Sequence, residues 1–344
     1  MAAPARCAAL VAAAALVLAG CGDDAEEPDT ERGGQGAGTA QPYPPRAAEP
    51  RAAREPTETP AGRVVRVGVE PEGVAVDPES GIVAVAVEDP GRLLLLDGET
   101  GRTVRTVALP GTARHVELAR PGGPFLVPLE TADRIAEVPV GEGDVRTTRV
   151  GSFPHDAAYL DGSIFTADEY GSTLSEVRDG RLVRQVPVDA QPGGVTAVGD
   201  ALAVTAVRAY TVELFDRGDL VGQGAQSAGL GPSHVVADPD GRLYIADTRG
   251  RQLIVYETVP RKKWIARVPL DGTPLGLAVD PERGRLWVTL TERNEVAEVR
   301  LGDRPAIVRR LPTARQPDSV AVNTRAGRVY VAARKAGTLQ IIDP

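Results

Sequence analysis

A chain of 344 residues is longer than an ordinary domain of roughly 150 residues, so it contains two domains or one architecture of repeated small units. Its 47 acidic and 39 basic side chains give a net charge of −8, which argues against electrostatic binding of nucleic acid. Both cysteines, Cys7 and Cys21, lie within the first 21 residues. The rest of the chain therefore has no disulfide, no catalytic cysteine and no cysteine-based zinc site.

Residues 1–20 have the pattern of a secretory signal peptide. Arg6 precedes an apolar run over residues 7–20, and these fourteen residues are fewer than the roughly 20 that a membrane-spanning helix needs. The segment Leu18-Ala19-Gly20-Cys21 resembles the lipobox of bacterial lipoproteins. The resemblance implies that Cys21 is lipidated and anchors the mature chain on the extracytoplasmic face of the cell membrane. The alternative is ordinary cleavage beside an incidental cysteine.

Residues 21–62 have the composition of a linker that begins at the predicted lipidated Cys21. Positions 22–62 contain nine acidic residues and seven prolines, with no Ile, Leu, Val or Phe. Such a segment buries too little apolar surface to offset the entropy that it loses on ordering. We therefore expect a disordered, acidic and proline-rich linker up to residue 62.

A proline placed shortly before an apolar strand recurs along the rest of the chain, and we name these positions markers. The markers are Pro71, Ala113 (in place of proline), Pro154, Pro192, Pro232, Pro274 and Pro317. They are 38 to 43 residues apart, a period typical of β-propeller blades rather than of helical arrays. Seven markers predict seven units.

Each unit contains short apolar runs separated by turn residues at hairpin spacing. In the first unit, residues 74–76 are followed by a turn at 77–81 and a second run at 82–87. The seventh unit, residues 317–344, has only three runs, whereas residues 63–69 match the missing outer strand. Pairing of the chain ends would remove exposed sheet edges. The sequence predicts an all-β fold over residues 63–344, a monomeric seven-bladed β-propeller whose last blade is closed by the N-terminal strand.

Two stretches resemble known propeller repeats. The YVTN repeat of bacterial and archaeal surface propellers is similar to Gly327-Arg328-Val329-Tyr330-Val331-Ala332-Ala333 with Thr338-Leu339-Gln340-Ile341-Ile342-Asp343. The NHL repeat is similar to Pro232-Ser233-His234-Val235-Val236-Ala237-Asp238. The chain thus resembles YVTN- and NHL-type propeller lipoproteins of the YncE-like kind, which implies a fold rather than an activity.

Candidate ligand-binding residues lie one or two positions after the markers. Inner strands of a propeller begin at one end of the central channel, where side chains from different blades converge. The candidates are Glu72, His115, His155, Asp156, Ser233, His234 and Asp318. Three of them, His115, His155 and His234, could hold a divalent metal such as Zn²⁺ together with a carboxylate. The alternative is an ordinary polar lining, because the second, third and fifth blades are not all adjacent.

The loop between the second and third strands of each blade emerges at the same end of the channel. Its carboxylates come from blades 1 to 3, for example Glu130 and Glu169, and blades 4 to 7 add cations such as Arg334. This pattern predicts a polarised rim that orients a charged ligand. The alternative is a set of independent, solvated loop charges.

The sequence contains neither a Gly-x-Ser-x-Gly elbow nor a phosphate-binding glycine loop, and no nucleophilic triad can be read from it. We therefore expect a binding or scaffold module for a protein, peptide or cell-envelope ligand. No cofactor is expected unless the histidines hold a divalent metal. The alternative is a metal-dependent lyase or hydrolase, because streptogramin lyases, which are propellers of similar build, use His and Glu in the channel.

Overall fold

Seven four-stranded antiparallel sheets make up the described part of the chain. A computed structural model describes residues 48–259 and 262–344. The predicted signal peptide, Cys21 and the first part of the predicted linker lie outside these residues. The seven sheets confirm the predicted seven-bladed β-propeller.

Blades are numbered from the first marker, and strands are numbered in chain order from the N-terminal strand, β1. Blade 1 contains β2 Val69–Val76, β3 Ile82–Asp89, β4 Arg92–Asp97 and β5 Thr103–Ala108. Blade 2 contains β6 Glu117–Arg120, β7 Gly123–Leu129, β8 Arg134–Val138 and β9 Arg146–Arg149. Blade 3 contains β10 Pro154–Leu160, β11 Ser163–Asp168, β12 Thr173–Arg178 and β13 Arg181–Pro187.

The second half of the ring repeats this order. Blade 4 contains β14 Pro192–Val198, β15 Ala201–Ala206, β16 Thr211–Asp216 and β17 Gln226–Ser227. Blade 5 contains β18 Pro232–Ala237, β19 Arg242–Asp247, β20 Gln252–Glu257 and β21 Lys263–Pro269. Blade 6 contains β22 Pro274–Asp280, β23 Arg285–Leu290, β24 Glu295–Arg300 and β25 Ala306–Pro312. Blade 7 contains β26 Pro317–Asn323, β27 Arg328–Ala333, β28 Thr338–Ile342 and β1 Arg63–Arg66.

Helical structure in these residues is limited to two short 3₁₀ turns, Glu130–Ala132 and Thr291–Arg293. Within the described ranges, no helix is long and apolar enough to cross a membrane.

The ring is closed by the two ends of the propeller sequence. Strand β1 pairs antiparallel with β28, with Arg63 opposite Ile341 and Arg66 opposite Thr338. The predicted closing strand, residues 63–69, is thus shorter in the structure. The reason is that the chain must leave the outside of blade 7 and reach the centre of blade 1, and Gly68 makes this crossing at a φ of 141°.

Apolar side chains of neighbouring blades form the core. Val83 and Val85 of β3 pack toward blade 7, where they meet Tyr330. Ala84, between them in sequence, faces the other way and packs with Phe125 of blade 2. Because both faces of β3 are covered, the strand is a continuous apolar run rather than an alternation of apolar and polar residues.

Residues 48–62, which we name the strap, differ from the disordered linker that their composition predicts. The Ala53 N–H donates to the Gln316 side-chain oxygen at 3.0 Å, and Arg315 donates to the Ala53 carbonyl at 3.2 Å. The Asn294 side chain donates to the Arg54 carbonyl at 2.9 Å. Side chains of blades 6 and 7 thus satisfy the backbone of the strap, and the small Ala53 is 3% exposed. Composition-based reasoning missed this because it counts apolar surface, not backbone hydrogen bonds.

Candidate functional site

The central channel opens into a cavity at the end where the inner strands begin, which we name the channel mouth. Its empty volume is about 730 Å³, part of which is open solvent. Six of the seven blades contribute the residue directly after the marker: Glu72, Arg114, His155, Ser233, Leu275 and Asp318. The remaining lining residues are His115, Glu169, Val207, His234, Ser319 and Arg334, with Ala48, Glu49 and Pro50 of the strap.

Bulges at the markers direct these side chains into the channel mouth. In blade 3, Pro154 pairs with Asp168 and Asp156 pairs with Ala167, so His155 has no partner in the ladder. The same register shift lies next to the marker in blades 1, 4, 5, 6 and 7. A bulge bends a strand and re-aims the unpaired residue. The residue after the marker therefore leaves the sheet pattern and faces the channel.

A repeated backbone hydrogen bond brings the second set of loop residues to the same place. In six blades, the N–H of a residue one or two positions after the second strand donates to the carbonyl of the residue before the marker, at 2.8 to 3.4 Å. The donors are Glu130, Glu169, Val207, Arg249, Thr291 and Arg334. This bond ties the two loops together, so Glu130, Glu169 and Arg334 lie beside the marker residues.

The three histidines meet across the channel, although their blades are not all adjacent. The Nε2 atoms of His115 and His234 are 3.1 Å apart. The His115 ring centroid lies 4.7 Å from that of His234 and 4.6 Å from that of His155. Residues that are 119 positions apart in sequence thus touch, because their side chains extend into the same channel mouth from blades 2 and 5.

His155 is held by two carboxylates. Its Nδ1 lies 2.8 Å from Glu130 Oε1 and 3.5 Å from Glu169 Oε2. Burial opposes protonation, but the Glu130 hydrogen bond and the charges of both carboxylates outweigh it and raise the pKa of His155 to about 9. His155 is therefore a cation at neutral pH.

The other two histidines are neutral at the same pH. Burial lowers the pKa of His234 to about 3, and the positive charge of His155 acts in the same direction. Burial, followed by the charges of His155 and His234, lowers the pKa of His115 well below its usual value. The cluster therefore contains one imidazolium beside two neutral imidazoles.

Charged groups of blades 1, 2 and 7 form a network next to the histidines. Arg114 Nε lies 3.5 Å from carboxylate oxygens of both Glu72 and Glu130. The second Glu72 oxygen lies 2.8 Å from Arg334 Nη1. Burial raises the pKa of Glu72, while the charges of Arg114 and Arg334 oppose the rise. Both oxygens of Glu72 are thus used in holding these cations.

Asp318 of blade 7 lies at this edge of the cavity without such partners. Its side chain is buried, and Oδ1 has no hydrogen-bond partner among the described residues. Burial is the main cause that raises the pKa of Asp318 to about 7, and the negative charge of Glu72 adds to it. Asp318 is therefore only partly ionised near neutral pH.

Blades 4 and 6 line the cavity with apolar residues, Val207 and Leu275. Between them, Ser233 Oγ lies 2.7 Å from Thr248 Oγ1, which donates to the Pro274 carbonyl at 2.7 Å. The channel mouth therefore has a charged side and a side where apolar residues lie beside uncharged polar ones.

Asp156 has a different position from the other predicted site residues. It does not line the cavity: its carboxylate accepts the Ala157 N–H at 2.8 Å and the Val195 N–H of blade 4 at 2.9 Å. His115 Nδ1 lies 3.6 Å away. Burial raises the pKa of Asp156 to about 6, against the effect of these backbone donors. The Asp156 carboxylate thus links the inner strands of blades 3 and 4 by hydrogen bonds, and it lies close to the His115 ring.

The structure brings six of the seven predicted residues into one cavity: Glu72, His115, His155, Ser233, His234 and Asp318. Sequence reasoning missed Arg114, whose signal is its position directly after the marker Ala113. It also missed Val207 and Leu275, because apolar residues in strand-rich sequences usually belong to the core. Cys21 lies outside the described residues.

The histidine cluster is not a preformed metal site. Across residues 48–259 and 262–344, no three His, Cys, Asp or Glu side chains are arranged to hold a metal ion. In addition, the His155 Nδ1 that faces Glu130 is engaged in that hydrogen bond.

Comparison with known proteins shows the fold alone. The sequence matches no protein-family model, and no curated protein matches it. Among solved structures, hydrazine synthase from Kuenenia stuttgartiensis is similar with a TM-score of 0.68 at 17% identity, over 81% of this chain and 97% of that chain. A streptogramin B lyase gives a TM-score of 0.69 at 14% identity over the same shares. The protein U3-55K gives 0.73 at 10% identity, over 83% and 99%.

These three similar structures have unrelated names, and the identities are all below 25%. They support the seven-bladed architecture over almost the whole length of each compared chain. The similarity to YVTN and NHL repeats stays a prediction from the sequence.

Proposed function

We propose that this protein is a binding module, anchored through Cys21 on the extracytoplasmic face of the cell membrane, that takes its ligand at the channel mouth. The ligand is a protein, a peptide or a component of the cell envelope. One observation carries the proposal: residues from separate blades converge on one cavity with a charged side and a side that includes apolar residues. A cavity of this kind orients a ligand that has both polar and apolar parts.

The anchor is supported by the lipobox-like segment Leu18-Ala19-Gly20-Cys21 and by the short apolar run before it. Replacing Cys21 with Ser should move the protein from the membrane fraction to the soluble fraction, because the acyl chains can no longer be attached. The measurement is immunoblotting of fractionated cells. Unchanged partitioning of Cys21→Ser would refute the anchor.

The binding site can be tested by site-specific cross-linking, because beyond Cys21 the chain has no cysteine. A photoreactive maleimide placed on Ser319→Cys, in the cavity, should give a cross-linked product in whole cells. The matched control is Val183→Cys on the outer strand β13, which is 53% exposed and remote from the channel. No product at Ser319→Cys, or the same product at both positions, would contradict binding at the channel mouth.

A second candidate, a metal-dependent lyase or hydrolase, is favoured by the histidine geometry. The Nε2 atoms of His115 and His234 already face each other at 3.1 Å. The Nδ1 contact of His155 with Glu130 resembles the carboxylate–histidine pairs that orient metal ligands. A Zn²⁺ ion would be bound by these imidazoles only after the His155 ring is brought toward the pair.

Metal analysis separates the two candidates. If the second is right, purified protein dialysed against Zn²⁺ should retain about one metal ion per chain, as a single site requires, and replacing all three histidines with Ala should abolish it. The variant Asp144→Asn, on an exposed loop of blade 2, should behave as wild type. Metal-free wild-type protein under the same conditions would eliminate the metal-dependent enzyme.

A further inference from the structure

Asp318 is a buried carboxylate, and one of its oxygens, Oδ1, has no hydrogen-bond partner among the described residues. The residue is 9% exposed, and its Oδ1 atom is enclosed yet has no donor in residues 48–259 or 262–344. Buried polar atoms in proteins nearly always have a partner, and an unpaired one destabilises the fold. Asp318 also lines the cavity. A positive group of a ligand placed beside this carboxylate would stabilise its charge.

The neighbouring carboxylates do not share this property. Glu72 contacts Arg334 at 2.8 Å and Arg114 at 3.5 Å. Glu130 contacts His155 at 2.8 Å. These groups are satisfied within the fold, so their charges need no external partner. Asp318 differs from Glu72 and Glu130 because its Oδ1 atom has no such partner among the described residues.

The electrostatic surroundings of Asp318 favour a positive ligand group. Glu72 and Glu49 act on it as like charges. Arg334 and Lys335 act as opposite charges, but both are engaged by Glu70, at 3.2 Å and 2.8 Å. An anionic ligand group would meet the repulsion of three carboxylates here, whereas a cation would reduce it.

The cavity that Asp318 lines also contains apolar side chains. Leu275 belongs to blade 6, which adjoins blade 7, and Val207 belongs to blade 4. Such side chains pack against the carbon chain that carries a terminal charged group. The site therefore combines one unpartnered acceptor with an apolar wall.

We propose that the channel mouth binds a cationic nitrogen, an ammonium or a guanidinium, against Asp318, with the attached carbon chain packed on Leu275 and Val207. This inference rests on the proposed binding function and specifies its ligand class. A basic side chain of a protein or peptide and a free amine share this chemistry.

The test uses two small probes of equal shape, Nα-acetyl-L-arginine amide and its uncharged counterpart Nα-acetyl-L-citrulline amide. Isothermal titration calorimetry with the full mature chain should show at least about tenfold tighter binding of the arginine probe, the size of a desolvated charge-assisted hydrogen bond. Asp318→Asn should reduce the arginine probe to the level of the citrulline probe. Asp144→Asn, the same change at an exposed position, should leave the difference intact.

Three results would overturn the inference: equal binding of both probes, undiminished arginine binding by Asp318→Asn, or no binding of either probe at millimolar concentration. These results are independent of the cross-linking at Ser319→Cys. A cross-linked anionic or neutral ligand would leave the binding function standing and eliminate the cationic ligand class. Tighter binding of free spermidine than of the arginine probe would identify an amine rather than a peptide as the source of the cation.

Discussion

Replacing Arg63–Arg66 with Gly-Ser-Gly-Ser should lower the melting temperature by roughly 6–10 °C. This change removes the side chain of Val65, which packs on the core between blades 7 and 1, and gives β1, the strand that pairs with β28, residues of low strand propensity. Loss of the ladder hydrogen bonds, at about 1 kcal/mol each, and of the partial burial of Val65 costs about 3–5 kcal/mol. For a body of this size each kcal/mol lowers the melting temperature by roughly 2 °C.

The matched control places the same four residues at positions 55–58 of the strap, which form no strand. That variant should melt within about 1–2 °C of the wild type, since surface changes cost little. Differential scanning calorimetry measures both. A closing-strand variant that melts like the control would show that the ring does not depend on the pairing of its chain ends.

Asp318→Asn should stabilise the protein at pH 8 by about 2–4 kcal/mol and have little effect at pH 4. Burial and the charge of Glu72 raise the pKa of Asp318 in the folded state to about 7, whereas the unfolded chain has the ordinary value near 4. Between these two values the folded state binds more protons, so its stability falls as the pH rises from 4 to 7. Asn does not titrate, so the variant lacks this loss.

Urea denaturation at pH 4, 6 and 8 measures the effect, with Asp144→Asn as the exposed control that should follow the wild type. Parallel pH profiles of wild type and Asp318→Asn would show that the carboxylate is solvated or paired after all. The expected gain has a functional meaning. A residue that destabilises the free protein is retained most readily where it contributes to ligand binding.

Much of the fold was predictable because its determinants are local. The markers at 38 to 43 residue spacing and the turn residues between short apolar runs specify seven strand-turn-strand units. The three-run seventh unit and the extra strand before Pro71 specify which ends must pair. The length of that strand was not predictable, because the crossing at Gly68 depends on the distance between two blades.

The candidate site was predictable in its location but not in its contacts. The positions after the markers identify Glu72, His155 and Asp318 as channel residues, since every blade repeats one geometry. Sequence reasoning could not predict that His115 and His234 touch, because the width of the channel follows from how seven sheets pack around it. The same holds for the strap, whose backbone is satisfied by side chains such as Asn294 and Gln316 from distant blades.

The sequence by itself determined the number of blades, the order of their strands and six of the side chains that line the channel mouth. The tertiary structure alone decided which of these groups are paired, protonated or left without a partner. The physical reason is that turns and strand patterns depend on neighbours in sequence. Burial and charge pairing, which give His155 a pKa of about 9 and leave Asp318 unpaired, depend instead on residues that only the closed ring brings together.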